Sequence, residues 1–576
     1  MTTIHRRNFL KSGVAAVGAI SSLQLQPARA QSPERSTPAT IYTNGQIVTM
    51  EGDAPSYVEA VAVQGEKIIF AGSKQGAQAA LKEAVVVDLQ GRTMLPGFID
   101  AWGHFSLVAE QTLGVNISYF ADKPPRNKAD IIALLKSTPP FNGWIIGYGY
   151  SDPMLTDGSP TLADLDAAFP NTPVMLSNLS SLTGKVNSAG LAKLGITPQT
   201  PAAQPGVIVK DPKTGQLTGE LLFTPFLTAR AVAIGSYSQD ILFKSYRAAQ
   251  TIFAQQGYTT LQTYQLDKAQ YGNLRAACDQ GVITLDVMGL PSLSDAASAK
   301  IVENPDWTWG AYSQSDRGIK IPGFLVSTDA APQLCLAAMT KPYANAPGFP
   351  KGWKGQLLPR AFVEQWIYHA YANDIQLFCY SNGDAGIDLS LSAIRKAVKA
   401  TGKTGDRRTV IAHSFFARPD QLASYKKHHI GASMMPLHMA QYGDVMREVL
   451  GPARADLESP AASAIKMGLP LMLHNDCPSA SPNVMEMIGA AVTRMTFTGH
   501  VMGPSERISP YAALVGVTRN AAHNYREERS KGTIAAGKIA DLVILDANPL
   551  TVAPSKIKDI KVVETLKRGR TVYRRA

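Results

Sequence analysis

Between about residues 94 and 530, short apolar segments alternate with helical stretches and turn-forming residues. That alternation limits the fold more than any other feature of the chain. Parallel strands need long crossover connections, and strands buried on both faces read as unbroken apolar runs. The expected strands are Met94–Ile99, Trp144–Gly149, Val174–Ser177, Thr259–Thr263, Ile283–Met288, Phe324–Ser327, Gln376–Tyr380, Val410–His413 and Leu471–His474, with helices such as Asp384–Ala400 and Pro419–Lys427 between them. So many strand–helix units predict an α/β fold: a (β/α)8 TIM-like barrel with insertions over 94–530. Its chemistry would gather at the C-terminal strand ends.

The two ends of the chain read differently. Residues 40–93 alternate short strands and turns, with Asn44-Gly45 and Gly65-Glu66 expected as hairpin turns. The C-terminus returns to this character over Gly532–Asp546 and Val562–Tyr573, the latter broken at Arg568-Gly569. Residues 31–93 and 531–576 are therefore expected to form one small β-sandwich domain built from both termini.

Residues 1–30 read as an export signal. Arg6-Arg7-Asn8-Phe9-Leu10-Lys11 matches the twin-arginine pattern, an apolar stretch follows over Val14–Leu25, and Ala28-Arg29-Ala30 is a cleavage site. The expected address is the periplasm, or secretion. Removing Arg6, Arg7, Lys11 and Arg29 lowers the formal charge from +11 to +7, and no dense basic cluster with interleaved aromatics remains to suit nucleic acid. No run of 18 apolar residues suggests a membrane span. The partner expected is a small-molecule substrate, with a homo-oligomer left open. Cys278, Cys335, Cys379 and Cys477 are widely spaced and are expected as free thiols.

The segment Met94-Leu-Pro-Gly-Phe-Ile-Asp-Ala-Trp102-Gly-His104 resembles the first-strand signature of the amidohydrolase superfamily, LPGFIDAHxH. Asn382-Gly-Asp384, His413, Asn475-Asp-Cys-Pro478 and Gly532-Thr-Ile-Ala-Ala-Gly-Lys-Ile-Ala-Asp-Leu-Val-Ile-Leu-Asp546 extend the likeness over nearly the whole chain after residue 30. They point to the branch that includes N-substituted formamide deformylases. The resemblance implies a metal site built from two first-strand histidines, often a bridging lysine, two later histidines and an aspartate. His104, His413 and Asp476 match that set.

Three positions depart from it. Trp102 replaces the first histidine, Leu325 stands where the bridging lysine belongs, and Tyr380 replaces the fifth-strand histidine. A catalytic zinc usually keeps three protein ligands. The resemblance therefore implies at most one divalent ion such as zinc, on His104, His413 and Asp476, and disfavours a binuclear centre. Lys320 lies near the lysine position but out of register. Trp102, Leu325, His438 and Leu182 are expected to touch substrate.

The expected function is an exported hydrolase of C–N or C–O bonds in a small amide, ester or lactone. The metal site would be reduced or absent, His104, His413 and Asp476 would do acid–base work, and Tyr380 would assist. Other readings stay open: a metal-free lyase, hydratase or isomerase, a single-metal hydrolase, and a non-catalytic binding protein or partner subunit.

Overall fold

The computed structural model describes residues 38–203, 206–303 and 305–576. The twin-arginine segment and its cleavage site lie outside the described residues.

Both ends of the chain meet in one eight-stranded sheet. Thr40–Val48 pairs antiparallel with Tyr57–Gln64, which pairs with Lys67–Gly72. On its other side Thr93–Pro96 runs antiparallel to Leu542–Leu545, and Val562–Lys567 and Arg570–Arg574 continue outward. Gly65-Glu66 and Arg568-Gly569 are turns, as expected. Asn44-Gly45 is not a turn: it lies inside Thr40–Val48, where the register shifts and Asn44 takes a φ of 57°. This bulge lets one strand pair with Val85–Asp88 along its first half and Thr93–Pro96 along its second. Alternation gives the sheet two apolar faces. Tyr42, Val61, Met94 and Leu542 cluster on one, and Ile41, Ala60 and Ala62 pack under the helix Lys74–Ala80 on the other.

The centre consists of parallel strands. Phe98–Ile99, Tyr258–Tyr264, Asp286–Leu290 and Ile319–Lys320 form a four-stranded sheet. Ser292–Leu293, Gly323–Ser327, Gln376–Ser381, Val410–His413, Gly431–Met434 and Leu471–Leu473 form a six-stranded one. The expected strand Met94–Ile99 is divided at Gly97, with its first part in the terminal sheet and its last two residues in the parallel one. A Cβ at Gly97 would stand 2.3 Å from Thr259 Cγ2, so a larger residue would force the crossing strand off its neighbour. Beyond the strand ends, His104 N donates to Cys477 O at 3.0 Å and Asp476 N to Trp102 O at 3.3 Å, joining the first parallel strand to the last.

Two expected strands lie elsewhere. Ile145–Tyr150 and Val174–Asn178 belong to a separate six-stranded sheet with Val115–Asn116, Thr183–Val186, Leu217–Phe223 and Gly206–Lys210. A buried apolar run announces a strand but not the sheet it joins. Gly431–Met434 went unanticipated because Gly-Ala-Ser-Met is neither β-branched nor strongly apolar. The inserted sheet leads into the helix Thr224–Ile234, whose Leu227 and Arg230 line the cavity beyond the parallel strand ends.

Candidate active site

A cavity of about 180 Å³ opens beyond the C-terminal ends of the parallel strands. Strand termini supply its chemistry: Tyr264, Tyr380 and His413 each stand at the last or next-to-last position of a strand. His104 precedes the helix Phe105–Gln111, and Asp476 follows Leu471–Leu473. His413, Ser414 and Asp476 all hold positive φ (69°, 48° and 56°), a conformation that costs an ordinary residue of order 1–3 kcal/mol. Packed strand ends impose these conformations and so fix where the side chains point.

Six of the expected site residues line this cavity: His104, His413, Asp476, Tyr380, His438 and Leu182. Trp102 and Leu325 do not. Both are fully buried beneath it, in a cluster with Ile99, Leu290, Phe378, Ala412 and Met472. Their side chains fill the space between the parallel strands, so they shape the site from below and touch no substrate. Lys320 is also removed from the site. It is buried against Glu527 and donates to Tyr525 O at 2.9 Å.

Two histidine arrangements stand above the Trp102 indole. His104 Nε2 lies 3.0 Å from Asp476 Oδ1, with the His104 ring 4.1 Å from that of Tyr264. His413 Nδ1 lies 2.9 Å from His474 Nε2, and His474 Nδ1 lies 2.8 Å from Ser433 Oγ. The indole packs at 5.4 Å from His413, 6.3 Å from His474 and 5.0 Å from Tyr264. His413 stacks on Phe415 and meets Tyr380 edge-on. Further out, His438 is held between Glu458 Oε1 at 2.7 Å and Gln333 Oε1 at 3.0 Å.

Burial dominates the electrostatics. It drives His413 well below the usual imidazole value, with Asp476 pulling the other way, and lowers His474 to about 3 with help from the charge on His104. Both rings are therefore neutral near pH 7. Burial would raise Asp476, but the charge and hydrogen bond of His104, with His413 behind them, hold it below the usual carboxylate range. Asp100, buried one turn before His104, is pushed up to about 7 by desolvation despite a hydrogen bond from Trp102 N.

This pattern has a consequence for stability. Unfolded histidines titrate near 6.5, so below that pH the unfolded chain binds protons that His413 and His474 refuse. Their contribution is present above pH 6.5 and is lost as pH falls toward the depressed native values. The unfolding midpoint should therefore drop between pH 6.5 and 4 in the wild type, and less steeply in His474→Gln. Thermal unfolding across that range measures this, and equal slopes would contradict it.

The donors do not suit a metal. Among the described residues no group of three or more His, Cys, Asp or Glu side chains is placed to hold an ion. His104 and Asp476 spend donor atoms on each other, His413 spends Nδ1 on His474, and the indole that replaces the first histidine offers no lone pair from below. The phrase around His413 marks it in the sequence, whereas the spacing of His474 from Asp476 fits plain strand alternation as well as a ligand or relay role, and nothing local marks Ser433. Their pairing crosses strands adjacent in the sheet but distant in the chain. All four cysteines are free and buried, and burial raises the Cys379 and Cys477 thiols.

Strand-end histidines and an aspartate around a cavity over a parallel α/β centre define a hydrolase of the amidohydrolase class. The model of the amidohydrolase family matches residues 85–573, and the chain belongs to that family. It is 25% identical over 535 residues to an N-substituted formamide deformylase of Arthrobacter pascens, covering 90% of this chain and 96% of the relative. It is 25% identical over 552 residues to a putative amidohydrolase of Bacillus subtilis, covering 93% and 99%. In fold it is similar to a metal-dependent hydrolase of Pyrococcus furiosus, with a TM-score of 0.69 at 20% identity, covering 89% of this chain and all of that one. Among the described residues no helix is long and apolar enough to cross a membrane.

Proposed function

We propose that this protein hydrolyses a C–N or C–O bond of a small amide, ester or lactone with its own histidines and aspartate. The observation that carries the reading is the His104–Asp476 pair at the cavity wall. When His104 Nε2–H donates to the ionised Asp476, Nδ1 holds the lone pair, and among the described residues Nδ1 has no hydrogen-bond partner. It takes a proton from water as the oxygen attacks the scissile carbonyl carbon, and Asp476 stabilises the imidazolium that forms. The same proton then passes to the departing nitrogen or oxygen. The products are the carboxylic acid and the amine or alcohol.

The carbonyl oxygen gains charge in that step and needs donors. Ser433 donating to His474 Nδ1 makes His474 Nε2–H the donor to His413 Nδ1. Among the described residues His413 Nε2–H then has no partner, and Tyr380, whose ring meets His413 edge-on, would offer its hydroxyl as a second donor. Burial holds Tyr380 well above the usual phenol value, so it keeps its proton. The deformylase named above supports amides as the first substrates to try, N-substituted formamides among them.

The same reading extends to architecture and address. Counting Asp286–Leu290 with Ser292–Leu293 as one interrupted strand and Ile319–Lys320 with Gly323–Ser327 as another, the two parallel sheets would close into an eight-stranded barrel through the His104–Cys477 and Trp102–Asp476 backbone bonds. The eight-stranded terminal sheet would fold over as the sandwich. The Arg6-Arg7 motif supports export to the periplasm.

Metal removal tests the chemistry. After dialysis against a strong chelator, cleavage of the responsive member of an amide, ester and lactone panel should persist within about twofold. Loss of turnover with recovery on adding zinc would overturn the reading.

A further inference from the structure

We infer that Arg230 is the recognition residue for an anionic group, so that the preferred substrate carries a carboxylate at the end away from its scissile bond. This rests on the hydrolytic reading of the same cavity and names its substrate class. The wall opposite the strand ends comes from the inserted sheet: Ser181 and Leu182 follow its strand Val174–Asn178, and Leu227 and Arg230 come from the helix Thr224–Ile234.

Arg230 is held in place from behind. Its Nε lies 3.0 Å from Glu110 Oε1 and its Nη1 donates to Ser181 O at 3.4 Å. Among the described residues Nη2 has no partner, so the outer Nη1/Nη2 edge is open, and the side chain keeps 21% exposure. That edge is the one with which a guanidinium grips a carboxylate through two parallel N–H bonds. A rotamer fixed in advance loses little freedom when a ligand arrives.

Glu110 does not cancel this role. It engages the Nε side, and a guanidinium commonly bridges two acids on its two edges. Burial also pushes the Glu110 carboxyl up, with Arg230 opposing, which weakens its claim on the cation. Glu110 stands six residues beyond His104 on the helix Phe105–Gln111, which puts the anion subsite on the order of 9 Å from the proposed base. Tyr264, Leu182 and Leu227 also line the cavity and suit a short apolar spacer.

Calorimetric titration of the full chain with hexanoate and with hexanamide tests the subsite without any turnover. Hexanoate should bind about tenfold to hundredfold more tightly, the usual worth of a charge-assisted pair. Arg230→Met should bring that ratio close to one, and Arg230→Lys, which keeps the charge but not the fork, should fall between. Equal affinity of the wild type for the two probes overturns the inference, as does a ratio that survives Arg230→Met. The wild-type comparison decides even where a variant folds poorly. Hexanoate selectivity without hydrolysis of any N-acyl amino acid would leave the subsite standing and sink the hydrolytic reading instead.

Discussion

Asp476→Asn should lower kcat about 10²–10⁴-fold with a much smaller change in KM, the range associated with disabling a positioned base. The carboxamide can still accept a hydrogen bond from His104 Nε2, so the fold and the 3.0 Å contact can survive. What it cannot do is stabilise an imidazolium. His104→Ala should cost as much, and the double variant little more, because the two act as one unit. Single-turnover kinetics on the responsive substrate measure this. A variant retaining more than a tenth of wild-type kcat would move the base elsewhere, with His413 the next residue to change.

The second large effect concerns stability. Asp286 opens the parallel strand Asp286–Leu290 and is buried with Lys531 at 2.7 Å and Lys567 at 2.6 Å. Burial opposes its charge, but Lys531, Lys567 and Arg568 together hold it well below the usual carboxylate range. Lys567 also donates to Asp541 at 2.8 Å and sits at the end of a terminal-sheet strand, so the cluster ties that sheet to the parallel strands. Asp286→Ala would take the shared carboxylate from two buried ammonium groups, leaving Lys567 with Asp541 at 2.8 Å and Lys531 with Glu527 at 3.6 Å. Removing one partner of a buried pair costs about 3–5 kcal/mol. Denaturant unfolding should show that loss, and Asp286→Ala with Lys567→Met should recover part of it through coupling. A single-variant loss below about 1 kcal/mol would show that water or Asp541 already satisfies the lysines.

Much of the candidate site was legible in the sequence. The phrases around His104, His413 and Asp476 carried both identity and position, because each lies beside a strand whose apolar run is readable. The loss of donors at Trp102, Leu325 and Tyr380 was legible too, but the direction of the first two side chains was not. Strand alternation says that a residue points inward; it does not say whether inward means the packed centre or the cavity above it. The partners His474 and Ser433, and the ion pair of Arg230 with Glu110, depend on contacts between distant segments that no local pattern encodes. The inserted sheet was misread for a related reason. Ile145–Tyr150 has the composition of a barrel strand, and only its partners reveal otherwise.

The division at Gly97 bears on how the molecule comes into being. The segment that leads to His104 begins as the strand Thr93–Pro96, which is held on one side by the first strand of the described chain and on the other by Leu542–Leu545. A nascent polypeptide emerging from the ribosome cannot complete that grip until Leu542–Leu545 is free. Such long-range pairing slows assembly and leaves a raw hydrogen-bonding edge exposed meanwhile. Alignment of the candidate site thus waits on residues 542–545, and a chain stopped short of them would hold His104, His413 and Asp476 yet lack the brace that aligns the first of them.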